Sequence, residues 1–193
     1  MKERPILFSA PMVRAILAGT KTQTRRICKP AEAQGLSYVV DCQDGTWGNE
    51  EGDMPVFSCP YGRAGDRLWV RETFARIDGQ TRPWIETDYR ATYTHGDRLG
   101  DRLGINKRWT PSIHMPRHAS RINLEVTGVR VERLQDISEA DAKAEGVQMP
   151  DGTPTPPEFW SYRQEFGRLW EEINGASSWE ANPWVWVIEV RRA

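Results

Sequence analysis

The run Trp184-Val185-Trp186-Val187-Ile188-Glu189-Val190 near the end of the chain most constrains how the sequence can fold. Successive side chains of an extended segment point to opposite faces, and here both faces stay apolar as far as Ile188. Such a strand is buried on both sides and lies centrally in a sheet, with packing above and below it. Other stretches supply its neighbours. Ile122, Leu124 and Val126 alternate with Asn123, Glu125 and Thr127, and the alternation resumes at Val129 and Val131. This predicts a long strand with a bend or bulge at Gly128. Gly65-Asp66 turns into a strand over Arg67 to Glu72, and Ile6 to Ser9 is a further short strand.

Helices fall between these strands. Pro11 opens one that carries Met12, Ile16 and Leu17 on one face and ends at Gly19. Ser138-Glu139-Ala140-Asp141 is a capping-box variant opening a second, which Gly146 closes. A third runs from Phe159 to Ile173, with Phe166, Leu169, Trp170 and Ile173 as its apolar stripe. Glycines and prolines from about 30 to 62 read as a loop or hairpin insertion. A polar, turn-rich stretch from about 78 to 117 reads as a second, with a strand near Tyr89 to Tyr93. The expectation is one domain over residues 1–193, an α+β fold built as a small mixed β-barrel with flanking helices and two loop-rich insertions.

Composition narrows the function classes. The chain is 38% hydrophobic and 27% charged, as ordinary globular proteins are. A formal net charge of -1 excludes a uniformly basic nucleic-acid binder while leaving room for a local basic patch. No apolar run reaches membrane-spanning length, so no membrane partner is expected. Ile6 to Ala18 is interrupted by Arg14 and followed by no cleavage pattern, which argues against a signal peptide. Cys28, Cys42 and Cys59 are odd in number and form no CxxC pair, which suits a reducing cytoplasm. Their wide gaps also argue against a zinc site with the three histidines, and neither metal nor cofactor is expected.

The chemistry concentrates in Gly19-Thr20-Lys21-Thr22-Gln23-Thr24-Arg25-Arg26. A hydroxyl becomes a useful nucleophile beside a base, and a lysine becomes a base when its pKa is pushed down. Neighbouring guanidinium groups push in that direction, because like charge disfavours the ammonium form. The octet therefore holds the parts of a lysine-activated threonine nucleophile; its other reading is a basic turn that meets phosphate or solvent. Nine tryptophans invite a base-stacking role. Trp170, Trp184 and Trp186 fall on core-facing positions, which leaves Trp69 and Trp109 as stacking candidates.

These pieces together resemble the ASCH domain of the PUA-like superfamily, in particular the longer ASCH proteins of phages and prophages. The resemblance rests on a helix followed by Gly-x-Lys-Thr-x-Thr-x-Arg at Gly19 to Arg26, then Gly-Asp-x-Leu-x-Val at Gly65 to Val70. The helix segment Ile137 to Gly146 and the last strand, Trp186 to Val190, complete it. It implies a PUA-like barrel. It further implies an amidohydrolase that removes the acetyl group of N4-acetylcytidine, with Lys21 as base, Thr24 as nucleophile and Glu145 as general acid. Glu145 precedes Gly146 at the helix end, where the negative end of the macrodipole favours the proton a general acid carries. The alternative for it is a solvent-facing glutamate paired with Lys143 or a nearby arginine. In a regular strand Lys21 and Thr24 face opposite ways, so the pairing requires a turn or bulge between them. Arg25 or Arg26 would depress the Lys21 pKa or hold the oxyanion, and Trp69, Arg71 and Glu72 are candidates to line the pocket. The partner implied is a modified nucleoside, free or within RNA. The competing function is a non-catalytic RNA-binding module, and a ribonuclease has the weakest support, since His114 and His118 have no evident partner.

Overall fold

The computed structural model describes residues 1–49, 55–78, 85–93, 108–148 and 161–193. In chain order it contains β1 (Glu3–Leu7), α1 (Ala10–Leu17), β2 (Gln23–Ile27), α2 (Lys29–Ala33), β3 (Val40–Asp41), β4 (Trp47–Gly48), β5 (Arg67–Arg71), β6 (Phe74–Asp78) and β7 (Ile85–Tyr89). The 11-residue strand β8 (Asn123–Arg133), α3 (Glu139–Ala144), α4 (Tyr162–Asn174) and β9 (Trp184–Arg192) follow. The fold is α+β. Its main sheet has five strands in the order β1-β5-β8-β9-β2; β1 runs parallel to β5 and the other pairs are antiparallel.

The doubly apolar strand behaves as its sequence requires. It lies between β8 and β2, and its two faces enter two cores. Trp184, Trp186, Ile188 and Val190 join Ile6, Leu68, Val70, Leu124 and Val126 in the inner cluster. Val185 and Val187 face outward and pack with Leu134, Ile137, Ala142, Phe166 and Trp170. Trp186 is fully buried, with the rings of Trp47 and Phe57 edge-on at 4.9 and 5.8 Å. The register between β8 and β9 shifts between Val126 and Gly128, which is the bulge the sequence predicts.

Several expectations are corrected. The sheet is not closed by a ladder among the described residues: β1 and β2 are its edges. They approach at one end, where the Arg26 guanidinium of β2 donates to the Leu7 carbonyl of β1 at 2.9 Å. The first insertion holds the hairpin β3–β4 and also α2, which Pro30 opens. Its Trp47 and Phe57 reach the main core, because a ring as large as Trp186 needs partners on every side. In the second insertion the strand ends at Tyr89, and Arg90–Thr92 forms a 3-10 turn. The last helix begins at Tyr162 rather than Phe159, since Ser161 and Gln164 form a full capping box; Phe159 lies outside the described residues. Ile173 is 55% exposed rather than buried with its stripe.

Candidate active site

The octet begins as the C-terminal cap of α1. Gly19 is left-handed (φ 76°), and the Thr20 and Lys21 amides both return to the Ala15 carbonyl, at 3.0 and 3.2 Å. Regular strand begins only at Gln23. Lys21 instead forms an isolated antiparallel bridge with Glu145, and the Thr22 amide donates to the Ala144 carbonyl at 2.8 Å. The end of α3 is thereby tied to the octet. Ser138 caps the start of α3 by accepting from the Asp141 amide at 3.0 Å, and Gly146 closes its end with φ 79°.

The Lys21 side chain is 1% exposed and that of Glu145 3%. Lys21 Nζ donates to Glu145 Oε2 at 2.8 Å, to the Glu145 carbonyl at 2.8 Å and to the Gln23 carbonyl at 2.9 Å. These use all the donors an ammonium has. Glu145 Oε1 accepts from Arg25 Nη1 at 3.1 Å, so one carboxylate is shared by two cations. Glu145 is thus not solvent-facing and not paired with Lys143, although the pairing with a nearby arginine, Arg25, is present. Burial holds the Lys21 pKa below its ordinary value; the Glu145 carboxylate opposes this shift, and Arg26 and Arg25 add to it.

Arg25 is fully buried, and its other side-chain ionic partners are Glu132 and Asp141: Glu132 Oε1 accepts from Nε at 3.2 Å and from Nη2 at 2.5 Å, and Asp141 Oδ2 lies 3.5 Å from Nη2. Gln23 Nε2 holds Asp141 through Oδ1 (2.8 Å) and the backbone carbonyl (2.9 Å). Burial raises the Asp141 carboxyl, but the Gln23 hydrogen bond and the charges of Arg130 and Arg25 outweigh it and leave its pKa below the ordinary value. Sequence reasoning missed Glu132, Asp141 and Gln23. Two signals were present: Asp141 sits one helical turn before Glu145, and Arg130 and Glu132 share one face of β8.

Thr24 points the other way along β2. It is 1% exposed, and its Oγ1 accepts from Arg26 Nη1 at 2.9 Å. No direct hydrogen bond joins Lys21 to Thr24 among the described residues. The Phe8 ring lies near both sets, 5.7 Å from Lys21 Nζ and 5.3 Å from the Arg26 guanidinium.

Arg25, Arg26 and Glu145 border a cleft of about 500 Å³ between the two sheet edges. Its far wall is the apolar stripe of α4, with Phe166, Leu169, Trp170 and Ile173. Trp69, Arg71 and Glu72 are not part of its lining. Trp69 packs against the guanidinium groups of Arg71 and Arg117, at 5.3 and 5.8 Å. Arg71 donates to the Met115 and Ile113 carbonyls. Glu72, 1% exposed, is clamped through both oxygens by Arg121 at 2.9 and 3.0 Å. All three anchor the segment around Ile113 to Arg121 onto β5.

No family model and no curated protein matches this chain. Among solved structures it is similar to the crystal structure of protein EF3133 from Enterococcus faecalis V583, described as family-model DUF984, at 11% sequence identity and a TM-score of 0.42. The match covers 100% of this chain and 81% of that one.

Proposed function

We propose that the protein is an amidohydrolase of the ASCH type, its sheet a PUA-like barrel with an open seam, and that it removes the acyl group from N4-acetylcytidine or a related N4-acylcytidine. The observation that carries this reading is the buried Lys21–Glu145–Arg25 cluster, whose Glu145 and Arg25 border the cleft while Lys21 lies behind them, with a threonine held by the cleft residue Arg26. A lysine whose ammonium form is disfavoured by burial is suited to act as a base.

The steps use these groups as follows. In its neutral form Lys21 gives up one of its three donated hydrogen bonds and frees a lone pair. Because Thr24 faces the other side of β2, taking its proton requires Lys21 to swing from Glu145 and Gln23, or a single water to carry the proton across. As substrate enters, Arg26 moves from Thr24 Oγ1 to the acyl oxygen, which uncovers the hydroxyl and stabilises the oxyanion. Thr24 Oγ1 bonds to the acyl carbon. The C–N bond then breaks, and its electron pair leaves on the exocyclic nitrogen of cytosine with a proton relayed through the Lys21–Glu145 pair. Water hydrolyses the resulting threonine ester to the carboxylic acid and restores the enzyme. Arg25, enclosed by three carboxylates, is a positioning residue for Glu145 in this scheme rather than a contact for substrate.

The cations of the octet speak against the phosphate-binding alternative. Lys21 and Arg25 are buried and spent on internal partners, and Arg26 is divided among Thr24, the Arg25 carbonyl and the Leu7 carbonyl. The test is release of cytidine from N4-acetylcytidine by purified protein, with Thr24→Ala and Lys21→Met alongside. The expected outcome is turnover by the parent chain and a loss of at least about 10²-fold in kcat for either variant. A parent chain that leaves N4-acetylcytidine intact would overturn the assignment.

A further inference from the structure

We propose that Ser9, Thr73 and Ser112 form a subsite for the ribose of the substrate, so that the cleft selects a nucleoside over the free acylated base; this rests on the amidohydrolase reading. All three line the same cleft, yet they come from separate segments: the β1–α1 junction, the β5–β6 turn and the 3-10 turn Ser112–His114. The backbone gathers them at one end. The Phe8 amide donates to the Arg71 carbonyl at 3.1 Å, one step beyond the last register pair of β1 with β5, so the residues that follow, Ser9 and Thr73, leave the sheet at the same end. Arg71 Nη2 in turn donates to the Ile113 carbonyl at 2.5 Å, which pins the turn carrying Ser112 against the same strand end.

Ser9 is exposed and Thr73 and Ser112 are half-buried, and none of their hydroxyls has a hydrogen-bond partner among the described residues, so a ligand would replace water there rather than a protein group. Ser9 makes the point most sharply. It is the N-cap residue of α1, a position where a serine hydroxyl ordinarily accepts from an amide of the first turn, and here it makes no such bond. Hydroxyls donate and accept while carrying no charge, which matches the 2′ and 3′ hydroxyls of a sugar better than a phosphate. The α4 wall, near Arg25 and Glu145, presents Phe166, Leu169 and Ile173, with Trp170 and Asn174 as the residues there that carry polar atoms. The hydroxyl end lies across from it at the ends of β1 and β5. A substrate whose acyl group sits at Arg26, the cleft residue that holds Thr24, would extend its ribose toward Ser9, Thr73 and Ser112.

The experiment compares kcat/KM for N4-acetylcytidine with that for N4-acetylcytosine, which lacks the sugar, in the parent chain, in Ser9→Ala, Thr73→Val and Ser112→Ala, and in the triple variant. Binding of cytidine and cytosine is measured calorimetrically on the same proteins. The expected result is a parent preference for the nucleoside, in both turnover and binding. Each substitution lowers that preference by up to about tenfold, and the triple variant nearly abolishes it. A nucleoside-to-base ratio that is the same in the parent and the triple variant overturns the subsite while leaving the hydrolase intact. Absence of turnover on both substrates refutes the hydrolase separately. In that case a parent preference for cytidine over cytosine, lost in the triple variant, still supports the subsite, and equal binding overturns it.

Discussion

A lysine that is 1% exposed and gives three hydrogen bonds to oxygens is held by geometry as well as by charge. If Lys21 is the base, kcat/KM rises with pH through its pKa, because the base must lose its proton to act, and the midpoint lies below that of an ordinary lysine. Glu145 stabilises the ammonium and so raises that pKa against the dominant effect of burial. The residual activity of Glu145→Gln is therefore expected to have its midpoint at lower pH, and a pH–rate profile of the two proteins checks this. Gly146 governs the same contact sterically. Its φ is 79°, and a Cβ there would lie 2.8 Å from the Lys21 Cβ and 2.9 Å from the Ala15 Cβ. Gly146→Ala is expected to cost about 1–2 kcal/mol from the left-handed backbone, with the clash adding to that. It should also lower kcat more than it raises KM, because it drives the end of α3 away from the octet. Denaturant melts and steady-state kinetics separate the two effects.

Among the elements, β9 contributes to both cores, one through each of its faces. Trp186→Ala is expected to destabilise the fold by about 3–5 kcal/mol, the range for removing a fully buried large aromatic, as a chemical denaturation curve would show. A second element-level tie joins the chain start to the β5 turn. Asp66 accepts from the Lys2 amide at 2.7 Å and from Arg4 at 2.9 Å. The Lys2 hydrogen bond, with burial opposing it and Arg4 and the Arg63 amide reinforcing it, holds the Asp66 carboxyl at about 2 against an ordinary value of 3.8. Its folded pKa lies below its unfolded one. The stability it confers is therefore complete above the unfolded value and is lost as pH falls from about 4 to about 2. Asp66→Asn is expected to flatten that part of the stability-versus-pH curve, read by thermal unfolding across the interval.

At the scale of the whole molecule, the two readings of the octet predict different responses to salt. A surface made for nucleic acid leaves its cations free for phosphates and shows affinity that falls steeply with salt. Here Lys21 and Arg25 are enclosed, Arg117 pairs with Glu3, and Arg121 pairs with Glu72. Hydrolysis of a neutral nucleoside is accordingly expected to change by less than about twofold in kcat/KM between about 50 and 200 mM salt, where a protein holding several phosphates would lose orders of magnitude. The described helices include none long and apolar enough to cross a membrane.

The sequence alone determined the parts whose causes are local. The period-two alternation and apolar faces placed β8 and β9 and put β9 in the sheet interior. Gly128 marked the bulge, and Ser138 and Gly146 marked the ends of α3. It also singled out Lys21, Thr24, Arg25, Arg26 and Glu145 from the octet and one helix end. Only the tertiary structure decided how these residues are divided. Long-range pairing brings Glu145 to Lys21 across 124 positions, and Glu132 to Arg25 across 107. That places Lys21 and Arg25 on a shared carboxylate and leaves Thr24 to Arg26. It also removed Trp69, Arg71 and Glu72 from the cleft and set α4 as its wall. No spacing along the chain encodes such contacts, because they follow from which strand edges meet and which helix covers the gap between them.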